Sequence, residues 1–262
     1  MFKIIKVVDG KKENIQDKII VEYFCSIYIN GKEFASIMCT PTSLYYLIVG
    51  FLFSEGVINS IKDIITCDVD EKNSTVRVTT NENDVFSFKG DNIEAKKIIT
   101  SACGKNRSIS YYLIGLSATN DLIINSNIIY SEKDILKLAN EFNKSSDLFL
   151  STGGVHSCAL ADKNGVILFE EDIGRHNALD KIIGRALCDD INFSDKILFT
   201  TGRISSEMAT KVIKAKIPFL VSRSASTDKA IDLAKKYNLT LIGFARANKM
   251  NIYANSQRIG FN

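Results

Sequence analysis

From residue 131 onward, apolar runs of strand length alternate with segments of helical periodicity, and this alternation restricts the fold more than any other feature of the chain. The spacing predicts helix 132–143, strand 147–151, strand 165–170, helix 176–188, strand 196–200, helix 204–215, strand 217–221, helix 227–237 and strand 239–244. Neighbouring parallel strands need a long crossover, which a helix supplies, so the expectation is an α/β layer with a mostly parallel sheet. In open sheets of this kind, ligands collect beyond the carboxyl ends of the strands.

The first hundred residues read differently. Strands at 22–29 and 33–39 flank Asn30-Gly31, a two-residue connection suited to a tight hairpin. Pro41-Thr42-Ser43 opens a helix through Leu44, Leu47, Ile48, Phe51 and Leu52 that ends near Gly56. Shorter strands follow at 64–69, 75–80 and 85–88. The expected division is a β-rich subdomain with one helix over 1–100, a mobile loop and connector over 101–130, and the α/β domain over 131–262.

Composition narrows the function classes. The chain of 262 residues is 45% hydrophobic and 24% charged, as soluble domains are, and its net charge of +3 gives no footprint for nucleic acid. The first ten residues lack the apolar core of a signal peptide, and the most apolar run, 44–53, is about half the roughly 20 residues needed to span a bilayer. The expected setting is therefore the cytoplasm, with no membrane partner. Cys25, Cys39, Cys67, Cys103, Cys158 and Cys188 include no Cys-x-x-Cys pair, which argues for reduced thiols and against a zinc knuckle. With two histidines and no nearby cysteine pair, no metal site is expected.

Both histidines, His156 and His176, fall in one polar stretch. Ser151-Thr-Gly-Gly-Val-His156 carries Gly153 and Gly154, which permit a sharp turn or close approach to a ligand. After the strand at 165–170 come Asp172, Arg175, His176 and Asn177 at the entry to a helix. Such a strand-to-helix junction suits a phosphate-bearing ligand, and it equally suits a helix cap with a surface salt bridge. The next junction holds Gly202, Arg203, Ser205 and Ser206, an anion nest or simple N-capping. A third holds Arg223 and Ser224, and a fourth Arg246. Four strand ends with Arg or His point to a pocket for something large and rich in phosphate. Cys103, beside Gly104, Lys105 and Arg107, is the candidate nucleophile or else a bystander thiol in a loop.

These motifs resemble the FdhD family, accessory sulfurtransferases of formate dehydrogenases. The resemblance runs through Asn30-Gly31, Met38-Cys-Thr-Pro41, Gly50-Phe-Leu-Phe-Ser-Glu-Gly56, Thr100-Ser-Ala-Cys-Gly104 and Thr152-Gly-Gly-Val-His156. It continues through Glu171-Asp-Ile-Gly-Arg-His-Asn-Ala-Leu-Asp-Lys181, Thr201-Gly-Arg-Ile-Ser-Ser-Glu-Met208, Ser222-Arg-Ser-Ala225, Gly243-Phe-Ala-Arg246 and Asn251-Ile-Tyr253. It implies a cytidine-deaminase-like α/β domain with an added N-terminal β-rich subdomain. It also implies that a cysteine desulfurase loads sulfur on Cys103 as a persulfide. The sulfur then passes to molybdenum bis(molybdopterin guanine dinucleotide), the cofactor destined for formate dehydrogenase. Family cofactor binding maps onto Phe244, Ala245, Arg246, Ala247, Asn248 and Lys249, and members are homodimers. A guanine nucleotide should act as a partial mimic of that ligand.

Two departures from the family shape the expectation, one of them Ser226, which stands where relatives often carry proline after Ser-Arg-Ser/Thr-Ala and loosens the turn. Cys103 is followed by Gly-Lys-Asn106, so the second loop thiol of many relatives is missing, which argues against release through a local disulfide and leaves persulfide carriage by one cysteine. His156 is followed by Ser-Cys, without the x-Glu and Pro-Cys-x-x-Cys of a zinc deaminase, which argues against deamination. The alternatives to a sulfur carrier are a non-catalytic chaperone that binds the cofactor, and a nucleotide-modifying enzyme acting through His156 and Asp172.

Overall fold

The computed structural model describes residues 1–81, 98–99 and 122–261. The chain opens with a two-stranded ribbon, β1 (Phe2–Val8) and β2 (Lys11–Asp17), most of whose residues are exposed. Strands β3 (Tyr23–Ile29) and β4 (Lys32–Cys39) form the hairpin read from the sequence. Asn30 and Gly31 have φ of 48° and 79°, the double left-handed turn that matches strand twist. With β5 (Ile64–Asp70), β6 (Thr75–Thr80) and β7 (Ile98–Ile99) they make a sheet of order β5-β6-β3-β4-β7. Helix α1 (Leu44–Glu55) follows β4 and stops at Gly56, whose φ of 81° lets its N–H reach back to Leu52 and Phe53 carbonyls.

The second half starts with β8 (Tyr130–Ser131), which pairs with the late β15 (Ile259–Gly260), and with α2 (Glu132–Lys144). Next come α3 (Asp147–Thr152), β9 (His156–Asp162), β10 (Gly165–Asp172) and α4 (Arg175–Cys188). They are followed by β11 (Ile197–Thr200), α5 (Ser206–Lys214), β12 (Phe219–Ser222), α6 (Asp228–Lys236), β13 (Thr240–Arg246) and β14 (Lys249–Ala254). The six strands order as β10-β9-β11-β12-β13-β14.

Two expectations are corrected. Residues 147–151 form helix α3, because the Ser146 hydroxyl accepts the Phe149 N–H and Asp147 sits in the first turn, a cap that outweighs the apolar run Leu-Phe-Leu. The sheet is mixed: β11, β12 and β13 pair in parallel, but β9 is antiparallel to both neighbours and β14 to β13. The reason is chain length, since Lys163-Asn164 joins β9 to β10 and so short a link can only reverse direction. Strands β9 and β14 themselves are additional to the sequence reading. The strand expected at 85–88 and the loop expected over 101–130 lie mostly or wholly outside the described residues.

Helix α2 covers one face of the six-stranded sheet, packing Ile135, Leu138, Ala139 and Phe142 with Ala159, Phe199 and Val221. On the other face α4, α5 and α6 bury their apolar stripes against Cys158, Leu160, Leu198 and Leu220. That core continues without a break into α1 and the inner side of the five-stranded sheet, at Ile27, Ile37 and Val76. Helix α1 is apolar on nearly every side, which fits its position in the interior. Its crossing with α4 is unusually close. A Cβ on Gly50 would lie 1.8 Å from the Asp180 carbonyl oxygen, and one on Gly184 1.9 Å from that of Tyr46. Among the described residues, no helix is long and apolar enough to cross a membrane.

Gly184→Ala should therefore push the two helices apart and cost about 3 kcal/mol, the upper end for overpacking, with backbone as the obstructing group. The midpoint of denaturant unfolding checks this, and a loss under about 0.5 kcal/mol would show that the crossing yields.

Candidate functional site

Pairing registers locate the strand ends. Asp172, which ends β10, stands opposite His156, which begins β9; Cys158 pairs with Thr200, and Thr200 with Ser222. One step on, the Phe244 N–H donates to the Ser224 carbonyl at 3.0 Å. The carboxyl ends of β10, β11, β12 and β13 thus share one rim with the start of β9. The N-termini of α4, α5 and α6 open on the same rim, their partial positive charges facing outward.

At its base is a sealed polar hub. Asp172 is 0% exposed and its Oδ2 accepts from the Thr40 N–H at 3.0 Å, the Thr40 hydroxyl at 2.9 Å and the equally buried Lys181 Nζ at 2.7 Å. Its Oδ1 accepts from the Gly174 N–H at 2.9 Å and Asn177 Nδ2 at 2.8 Å. Asn177 Nδ2 also donates to the Met38 carbonyl at 2.8 Å. Asp172, read from the sequence as a ligand contact, is thus fully engaged by the protein and shapes the turn beneath the site instead.

Above the hub, cations gather with little counter-charge. Arg175 lies across Gly202, where a Cβ would come to 3.0 Å from its Cβ and Cδ and press the side chain aside. Arg175 Nε is buried and has no hydrogen-bond partner among the described residues. Burial, then the charge of Arg203, holds the Arg175 guanidinium below its ordinary pKa, with Glu207 opposing. Arg203, Arg223 and Arg246 are exposed, and none forms an ion pair among the described residues.

The histidines stand among these arginines. His156 Nδ1 is 3.3 Å from the Thr201 hydroxyl, which also accepts the Ser157 N–H at 3.0 Å. Burial lowers the His156 pKa, and Arg175, His176 and Arg203 lower it further against Asp172. His176 Nε2 is 3.3 Å from Glu207 Oε2, within ion-pair range but without the alignment of a hydrogen bond. Its pKa is also lowered, by burial first, with Glu207 opposing and Lys211 and Arg175 adding to the fall.

The remaining predicted residues take several roles. Gly153, with φ of 66°, ends α3, and exposed Gly154 abuts the Ile20 side chain at the approach to β9. Ser205 caps α5, accepting the Met208 N–H at 3.4 Å, and Ser206 begins that helix. The Ser224 N–H donates to the Ser222 hydroxyl at 2.8 Å. Strand β13 runs on to Arg246 rather than stopping at residue 244, through a bulge in which Phe244 has φ of 52°. Ala245 is 1% exposed and packs in the core, so its side chain is withdrawn from the rim. The turn at Ala247 and Asn248 is held from α2: Asn140 Nδ2 donates to the Ala247 carbonyl at 2.8 Å and its Oδ1 accepts the Ala247 N–H at 3.0 Å. Asn248 and Lys249 are exposed beside it.

Sequence reasoning missed Thr40, Lys181, Thr201, Glu207 and Ser226 as working parts. Glu207 was legible as a first-turn acid directly after the nest, whereas Thr40 is 132 residues from Asp172 and gave no signal. Cys103 lies outside the described residues. Burial raises the other five thiols, Cys25 to about 11, Cys67 and Cys158 to about 12, and Cys39 and Cys188 also upward.

Against this geometry, the FdhD/NarQ family model matches residues 20–260. The chain belongs to the FdhD/NarQ family. FdhD/NarQ relatives extend along its whole length. The sulfur carrier protein FdhD of Listeria monocytogenes is 39% identical over 257 residues, covering 98% of this chain and 97% of that one. The protein of the same name from Bacillus subtilis strain 168 is 36% identical over 250 residues, covering 95% and 93%. A crystal structure of a formate dehydrogenase accessory protein from Desulfotalea psychrophila superposes with a TM-score of 0.79 at 23% identity, covering 99% of this chain and 98% of that one. The mixed α/β fold with several sheets is therefore shared with an experimental structure.

Lys181→Met should leave the Asp172 carboxylate buried without its cation, at a cost of about 3 to 5 kcal/mol. Chemical denaturation measures it, and a loss below about 1 kcal/mol would mean that the Thr40, Gly174 and Asn177 donors suffice alone.

Proposed function

We propose that the protein is a sulfur carrier acting in the cytoplasm for formate dehydrogenase, and that its cargo acceptor is molybdenum bis(molybdopterin guanine dinucleotide) bound at the rim. The observation that carries the reading is the company kept by buried polar atoms without partners. Among the described residues these are Arg175 Nε and Ser226 Oγ, which belong to the rim, and Asn143 Oδ1 next to it, its amide nitrogen 3.5 Å from the Ala245 carbonyl. Buried polar groups are almost always paired, so such a cluster marks the place where a ligand completes the set. Its donors, helix N-termini and arginines without an ion pair among the described residues suit the pyrophosphates of a guanine dinucleotide.

Sulfur loading follows from thiol chemistry. The Cys103 thiolate attacks the outer sulfur of a desulfurase persulfide; the donor S–S bond breaks as a new one forms on Cys103. The donor leaves as a thiolate and takes up a proton, with no net oxidation. Raised pKa values at the five other cysteines support Cys103 as the carrier, since the thiolate is the nucleophile. Gly104, Lys105 and Arg107 give it a small and cationic sequence setting. In this reading the run α2-β9-β10-α4-β11-α5-β12-α6-β13 is the cytidine-deaminase-like layer. Two copies of the chain, as a homodimer, present two rims to the two halves of one cofactor.

The absence of a second thiol near Cys103 favours one rival reading, a chaperone that holds the cofactor without transferring sulfur. Incubation with a cysteine desulfurase and cysteine, followed by intact mass measurement, separates the two. The expected result is one added sulfur on the wild type and none on Cys103→Ala; a Cys103→Ala variant that still supports formate dehydrogenase activity would establish the chaperone.

Binding at the rim is tested separately. Arg203→Ala should weaken binding of guanosine diphosphate by about 1.5 to 3 kcal/mol, the scale of one charge-assisted hydrogen bond. Unchanged affinity in a calorimetric titration would remove Arg203 from the site.

A further inference from the structure

We infer that His156 is a proton-coupled contact of the rim: it takes up a proton when a pyrophosphate diester binds, so that the site holds its ligand more tightly as pH falls from 8 to 6. This deepens the cofactor-binding reading above and rests on it.

His156 stands among cations: its Nδ1 is 3.3 Å from the Thr201 hydroxyl, the next residue, Gly202, lies against the Arg175 side chain, and Arg203 follows it. The charges of Arg175, His176 and Arg203 all act on the ring. From β10 it is faced by Asp172, whose charge is already matched by Lys181 at 2.7 Å. Glu207, the acid beside this group, lies against His176 at 3.3 Å. His156 is therefore neutral at neutral pH in the empty site, by burial first and then by its cationic neighbours. An anion placed between Arg175 and Arg203 reverses that balance, because it screens both guanidiniums and adds a negative charge beside the ring.

Local hydrogen bonding permits the change. The Thr201 hydroxyl, 3.3 Å from Nδ1, can donate to the neutral ring or accept from the imidazolium, so the contact survives protonation in place. His176 stands apart from this coupling, since its Nε2 already lies 3.3 Å from Glu207 Oε2 whether or not an anion is bound. The coupling belongs to His156.

The probe is P1,P2-di(guanosine-5′) pyrophosphate, whose two phosphodiesters keep a fixed charge between pH 6 and 8, so that any proton taken up comes from the protein. Calorimetric titrations at pH 6.0 and 8.0, in buffers of differing ionisation enthalpy, should show binding about three- to tenfold tighter at the lower pH with net proton uptake. That is the scale of one proton whose own affinity rises roughly tenfold or a little more. His156→Gln should bind more weakly and without pH dependence. Because the chain has two histidines, proton NMR of the intact protein follows them directly, and the His156 Cε1–H titration should move to higher pH at saturating probe. Tight binding with no pH dependence, or an unmoved His156 titration, would overturn the inference and leave cofactor binding standing. No binding at either pH would overturn both.

Discussion

One buried carboxylate joins the two halves of this molecule. Asp172 ends β10, and its two oxygens draw in the Thr40 backbone and hydroxyl from the end of β4, Lys181 and Asn177 from α4, and the Gly174 amide at the turn between. A charge taken this far from water is tolerable only if every acceptor direction is filled, and here the donors come from both sheets. The floor of the rim is therefore rigid because it is polar.

Above that floor the arrangement is the reverse. Arg175 and Arg203 oppose each other's charge, His156 and His176 are held below their ordinary pKa values, and Glu207 supplies one acid nearby. Like charges kept close without counter-ions weaken the empty fold, and a bound anion relieves them. The same contrast separates the thiols. Those in the packed layers are pushed toward inertness by burial.

Much of this was legible in the residues, wherever the decisive interaction was local. Asn30-Gly31 specified its hairpin because two consecutive left-handed residues are needed and these tolerate it. Helix α1 announced both of its ends, at Pro41 and at Gly56. The strand-end arginines and the pair of histidines stood out because their polarity had no packing explanation. What escaped were features settled at long range. Strand β9 reads His-Ser-Cys-Ala-Leu-Ala-Asp, poor in branched residues, and it becomes a strand because β10 and β11 pair with both of its edges. The role of Asp172 needed Thr40, which no local pattern brings to it. At α3 the error ran the other way, since a local cap at Ser146 overrode an apolar run of strand length.

The glycine crossing of α1 and α4 reaches further than its own contact. Thr40 leads into α1 after only three residues, and Ser43 at the helix entry bonds Glu170 of β10 at 2.7 Å. The depth to which α1 sinks against α4 therefore sets the height of Thr40 over Asp172. Gly50 and Gly184 act as a gauge block: they fix, from the middle of the molecule, the tolerance to which its working edge is assembled.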